Sequence, residues 1–193
     1  MCYIQLPNCV MRPVFARLLF VALCAIPFLT ATAFAQAQQT LRVQPIVRGD
    51  QVLVSFELAN GLTDEVRAAI QSGLKTTFTY TVELLMEVPV WRDRPLGAAV
   101  INSSVEYDNL RRQYLMGLRI DGRTEESRST TDVSEVRQWM TTIKQFPLFR
   151  TSVLEANREY YVRVSATARP SNGSILWPFG SGTSAQGKFT FIR

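Results

Sequence analysis

Two pairs of carboxylates, one serine–lysine spacing and one glycine-rich loop are the places where residue type and spacing suggest chemistry. Glu83 and Glu87 lie on the same face of an alternating segment. Glycoside hydrolysis uses two carboxylates about 5 to 9.5 Å apart, one as acid and one as base or nucleophile. Four residues of extended chain separate this pair by roughly 13 Å, too far for the two alone. Glu125 and Glu126 face opposite ways if extended. Ser72-Gly73-Leu74-Lys75 has the spacing of penicillin-recognising enzymes, but their Ser-Asp-Asn and Lys-Thr-Gly elements are missing from the sequence. Gly73 would also end the helix that should align the serine with the lysine. Gly180-Ser181-Gly182-Thr183-Ser184-Ala185 matches the dinucleotide pattern with alanine in third place. No helix follows it to hold a pyrophosphate, so it reads as a hairpin loop.

The chain has no histidine, and its three cysteines are Cys2, Cys9 and Cys24. All three fall in a segment that reads as an export signal. Arg12 and Arg17 give the basic start, Leu18 to Leu29 the apolar run, and Ala33-Phe34-Ala35 the small-x-small site for cleavage between Ala35 and Gln36. The apolar run is shorter than the about 20 residues of a membrane span, and Pro27 interrupts it. Met11-Arg12-Pro13 makes a more typical signal start than the uncharged stretch from Met1 to Val10. The expected organisation is therefore residues 1–35 as signal peptide, with a start at Met11 as an option, and residues 36–193 as one exported domain. Periplasm is the expected compartment, with secretion or an uncleaved N-terminal anchor as the alternatives.

Such a mature chain has neither thiol nor imidazole. Ser-His-Asp and Cys-His catalysis are excluded, zinc and copper lose their usual ligands, and no cofactor is expected. Calcium keeps its oxygen ligands, but no EF-hand loop order occurs. Removal of Arg12 and Arg17 lowers the formal charge from +5 to +3, with 19 Lys+Arg against 16 Asp+Glu. That is too mildly basic to argue for nucleic acid.

The elements that must position any site are mostly strands. Leu41–Val47 and Val52–Leu58 alternate around the turn Arg48-Gly49-Asp50. Thr76, Phe78, Tyr80, Val82, Leu84, Met86, Val88 and Val90 then repeat with period two. Pro89 suggests an edge position or a bulge there. Further strands are predicted over Ala99–Tyr107, Gln113–Ile120, Arg123–Thr130 (through an Asp121-Gly122 turn), Tyr160–Ala168 and Lys188–Arg193. Thr63 can cap a helix over Asp64–Ser72. Asp132 and Glu135 have capping-box spacing for a second helix, with Val133, Val136, Met140 and Ile143 at helical spacing and Pro147 as its stop. Gly180 to Gly187 reads as flexible. The predicted architecture is mainly β (α+β): one antiparallel β-sandwich or partly closed barrel with two packed helices.

Two arginine–aromatic groupings stand out: Trp91-Arg92-Asp93-Arg94, and Arg111-Arg112 beside Tyr114. The loop Trp177-Pro178-Phe179 is a third apolar feature. Trp91, Arg92, Arg94, Trp177 and Phe179 form the predicted partner-contact patch.

Several short motifs follow one another along the chain. These are Phe56-Glu57-Leu58, Leu62-Thr63-Asp64-Glu65-Val66 running through Ala69-Ile70 to Ser72-Gly73-Leu74, Trp91-Arg92-Asp93, Val105-Glu106-Tyr107-Asp108-Asn109-Leu110, Gln113-Tyr114 and Asn157-Arg158-Glu159-Tyr160-Tyr161-Val162-Arg163. From about Leu41 to Arg193 this order resembles the bacterial family catalogued as domain of unknown function 4390, with a departure near Trp177. The resemblance implies a small exported β-rich protein and carries over no catalytic residue. The function expected from all of this is a non-enzymatic binding or interaction domain of the cell envelope, for a partner protein or an apolar ligand. The alternatives are a cofactor-free carboxylate glycan hydrolase and a lipid carrier.

Overall fold

Alternation along the chain resolves into two antiparallel sheets. The computed structural model describes residues 39–170 and 182–192, which lie in the unit Ala37–Arg193. In chain order the elements are β1 (Thr40–Arg48), β2 (Gln51–Ala59), α1 (Asp64–Gln71), β3 (Thr76–Met86), β4 (Arg94–Asp108), β5 (Gln113–Ile120), β6 (Arg123–Thr130), α2 (Val133–Thr141), β7 (Thr142–Arg150), a 3-10 turn (Thr151–Val153), β8 (Arg158–Pro170) and β9 (Thr183–Phe191). One sheet has the order β1-β2-β7 and the other β6-β5-β4-β3-β8-β9. The sheets are open, which decides for a sandwich over a barrel.

The core follows from the period-two pattern. Phe78, Tyr80, Val82 and Leu84 of β3 are buried together with Val54, Phe56 and Leu58 of β2, Val66 and Ile70 of α1, and Val136 and Met140 of α2. Each such side chain contributes about 1.5–3 kcal/mol on burial. The rings of Phe56 and Tyr80 meet across the two sheets at 4.7 Å between centroids. Thr63 caps α1 through Val66 N–H at 3.4 Å. Asp132 caps α2 through Ser134 N–H at 2.8 Å. The capping box is not closed by Glu135, because the Asp132 N–H is already donated to Thr130 Oγ1 at 3.1 Å.

Four expectations need correction. Helix α2 stops at Thr141, and Thr142–Arg150 is a strand that the helical spacing conceals. Ile143 pairs with Phe56 and Phe146 with Val54, so the open edge of β2 offers ladder bonds and burial that outweigh local periodicity. Pro147 is tolerated because β7 has a partner on one side only. Strand β3 ends at Met86, four residues early. It lies between β4 and β8, so Pro89, with no N–H to donate, falls in the following loop instead of on an edge. Strand β4 starts at Arg94, not Ala99, because Arg94 and Pro95 still pair with Met86 and Leu85. Thr183–Gly187, read as flexible, belongs to β9 and pairs with Val162–Ala166 of β8.

Strands β1 and β9 bring the two sheets together along one side. A Cβ at Gly187 would lie 2.5 Å from Pro45 Cδ and 2.7 Å from Val43 O, so the two strands approach at a distance only glycine allows. Gly187→Ala is expected to destabilise the fold by about 1–3 kcal/mol. A denaturant midpoint unchanged from wild type would show that β1 and β9 are not held so closely.

Candidate binding surface at the apex of the sandwich

Strand register gathers four segments at one end. These are the β1–β2 turn, the β3–β4 hairpin (residues 87–93), the β7–β8 connection and the Phe191 end of β9. Thr151 N–H donates to Asp50 O at 2.8 Å, and Asn157 N–H to Phe191 O at 2.8 Å. Arg94 reaches Glu155 at 3.7 Å, and Arg158 reaches the same carboxylate at 3.7 Å. A depression of about 350 Å³ lies between the β1–β2 turn, the 3-10 turn and Phe191. We refer to this end as the apex.

Val90 and Trp91 form its tip and are 103% and 82% exposed. Val90 has φ 67, a left-handed conformation that costs a β-branched residue about 1–3 kcal/mol. The tip keeps this shape because its base is fixed. Asp93 accepts from Val88 N–H at 3.4 Å through one carboxylate oxygen and from Tyr161 Oη at 2.5 Å through the other. Arg163 Nη2 donates to Tyr161 Oη at 3.0 Å, and its guanidinium lies 5.5 Å from the centre of the Tyr161 ring. The hydroxyl of Tyr161 holds Asp93 below the usual carboxylate range, with burial opposing. Burial first, and the bond to Asp93 second, raise Tyr161 above the ordinary tyrosine range.

The outer face of the large sheet carries two of the other sequence candidates. Glu83 and Glu87 do share this face, but they are not a pair. Glu83 meets Arg163 at 3.6 Å and Glu87 meets Lys188 at 2.6 Å. With side chains 40% and 37% exposed, neither has the apolar pocket that a general acid uses. Glu125 is exposed while Glu126, half-buried, pairs with Arg128. Ser72 Oγ is spent on Ala69 O at 2.7 Å. Among the described residues, no cluster of acidic side chains could hold a metal ion.

Of the predicted contact residues, Trp91, Arg92 and Arg94 are together at the apex and exposed. Trp177, Phe179 and the Ala35–Gln36 junction lie outside the described residues. The second arginine grouping is elsewhere: Arg111 and Arg112 sit in the β4–β5 turn at the opposite end, and Tyr114 is buried there against Tyr107. Sequence reasoning missed Tyr161 and Arg163, although Tyr160, Val162 and Val164 point inward and so force both onto the outer face. It also missed an open cleft of about 340 Å³ at α2, lined by Arg128, Glu135, Trp139 and Lys144. There the Arg128 guanidinium lies 5.7 Å from the Trp139 ring centre, and Trp139 Nε1 is buried without a hydrogen-bond partner among the described residues.

The Asp93 latch has a definite pH dependence. Its folded carboxyl titrates lower than in the unfolded chain, so the stabilisation is complete above about pH 5 and is lost as pH falls through and below about 4. Melting temperature should therefore separate wild type from Asp93→Asn at neutral pH, with the gap closing toward about pH 2. A gap that stays constant across this range would contradict the latch.

No curated protein and no solved structure matches the chain. A family profile does, that of Domain of unknown function (DUF4390), over residues 35–172. The match stops short of β9, close to the departure at Trp177. Spanning most of the sequence, it establishes that the chain belongs to the DUF4390 family.

Proposed function

We propose that this protein is a non-enzymatic binding domain of the cell envelope, exported by its N-terminal signal and working by holding a partner at the apex. The observation that carries this reading is the tip itself. Two adjacent apolar side chains are almost wholly exposed, one of them in a strained conformation, on a hairpin fastened at its base. Strain and exposure both cost stability, and they persist where a contact surface needs them. A pre-shaped tip also loses little freedom on binding.

The glycan-hydrolase alternative has less support. Glu83 and Glu87 are each engaged by a different cation, on an open sheet face. The lipid-carrier alternative needs β3 to line a cavity, yet its inward side chains pack on Phe56 and the helices.

The test uses the labelled full chain and isolated envelope fractions. Asparagine tolerates the left-handed region, so Val90→Asn should leave stability unchanged or raised. Val90→Asn with Trp91→Ala should weaken retention by about tenfold or more, the effect of roughly 1.4 kcal/mol. Glu83→Gln and Glu87→Gln should leave retention intact. Retention insensitive to the tip, or substrate turnover abolished by either glutamate change, would overturn the reading.

A further inference from the structure

We infer that the apex engages an anionic lipid surface, with Val90 and Trp91 entering the headgroup boundary and arginines holding the lipid phosphates. This rests on the binding reading above and names the partner. The arrangement is graded along the long axis of the hairpin. Val90 and Trp91 are at the extremity, Arg92 is next to them and exposed, and Arg94 begins the strand behind. Ile192 and Val153 add exposed apolar side chains at the same end.

A bilayer interface favours this order. Tryptophan and aliphatic groups enter the boundary region, and cations stay one step back at phosphate depth. The charge at the tip has the right sign. Asp93 is turned back onto Tyr161 and the Val88 amide, and Glu155 is the one carboxylate shared by Arg94 and Arg158. Arg92, Arg94 and Arg158 therefore outnumber the outward acid. The remaining carboxylates at this end are Asp50, exposed in the β1–β2 turn with Arg48 and Arg150 also exposed beside it, and Glu87 and Glu159, farther down the sheet near Lys188. Insertion requires no new ordering of the hairpin, because the Tyr161–Asp93 bond already holds its base.

Flotation of the full chain with protein-free vesicles tests the inference, comparing phosphatidylglycerol with phosphatidylcholine. Binding should favour phosphatidylglycerol and weaken as salt is raised. Trp91→Ala should weaken it about tenfold, and Arg92→Gln and Arg94→Gln about fivefold each. Leu110→Ser, at an equally exposed position on the opposite end, should change nothing. Quenching of tryptophan emission by brominated lipid should be largely lost in Trp91→Phe. If envelope retention depends on Trp91 but protein-free vesicles are not bound, a protein occupies the apex; the lipid inference falls and the binding reading stands. If neither assay depends on Trp91, both fall.

Discussion

Tyr80 is the point on which the architecture converges. It is fully buried near the middle of one of the two central strands of the large sheet, and its ring meets Phe56 of the small sheet. Its hydroxyl donates to Met140 O at 2.5 Å, satisfying a carbonyl in the last turn of α2 that has no helical partner. Ser103 Oγ does the same for Trp139 O at 2.9 Å. These two bonds allow the chain to leave the helix inside the core and turn at once into β7 along β2. Burial drives the phenol well above the ordinary tyrosine range, so the hydroxyl is a donor at neutral pH. One side chain thus ties both sheets to the helix that bridges from β6 to β7.

Against that background the apex is an exception. Inside, the described buried side-chain polar atoms other than Trp139 Nε1 find partners, and strands place their large residues toward the core. At the tip, Val90 and Trp91 lack cover and Val90 has a left-handed backbone, while the residues immediately beneath are held by hydrogen bonds and an ion pair. Stability built in the core lets the hairpin keep a locally unfavourable shape. The opposite end offers an internal contrast: Leu110 is also exposed, but it sits in a turn whose Asp108 side chain accepts from both Leu110 N–H and Arg111 N–H. The apex tip is closed locally as well, by Trp91 N–H to Val88 O at 3.3 Å, and each turn holds one residue at positive φ, but at the apex that residue is the β-branched Val90 and at the other end Arg112.

Legibility in the sequence followed the range of the forces involved. Strands β1, β2, β5 and β6 and helix α1 were readable because turn chemistry and alternation are local: Gly49 and Asp121-Gly122 do take positive φ. The site was legible as residue types, since Trp91-Arg92-Asp93-Arg94 forms one short run. Long-range effects were not readable. Strand β7 was hidden because Ile143 serves a helical stripe as well as a strand pairing, and only the open edge of β2 decides between them. The Tyr161–Asp93 bond joins residues 68 apart, so no local spacing announces it. Both arginine groupings stood out in the sequence, with only the first assigned to the contact patch, and register places them at opposite ends.

The most direct measurement is photo-crosslinking in intact cells from a reactive residue placed at position 90 or, as a control, at position 110. Both positions are fully exposed in the isolated fold, so solvent access alone cannot distinguish them. The account predicts that position 90 captures lipid or protein while position 110 stays free. Equal capture from the two positions, or capture from 110 alone, would contradict it.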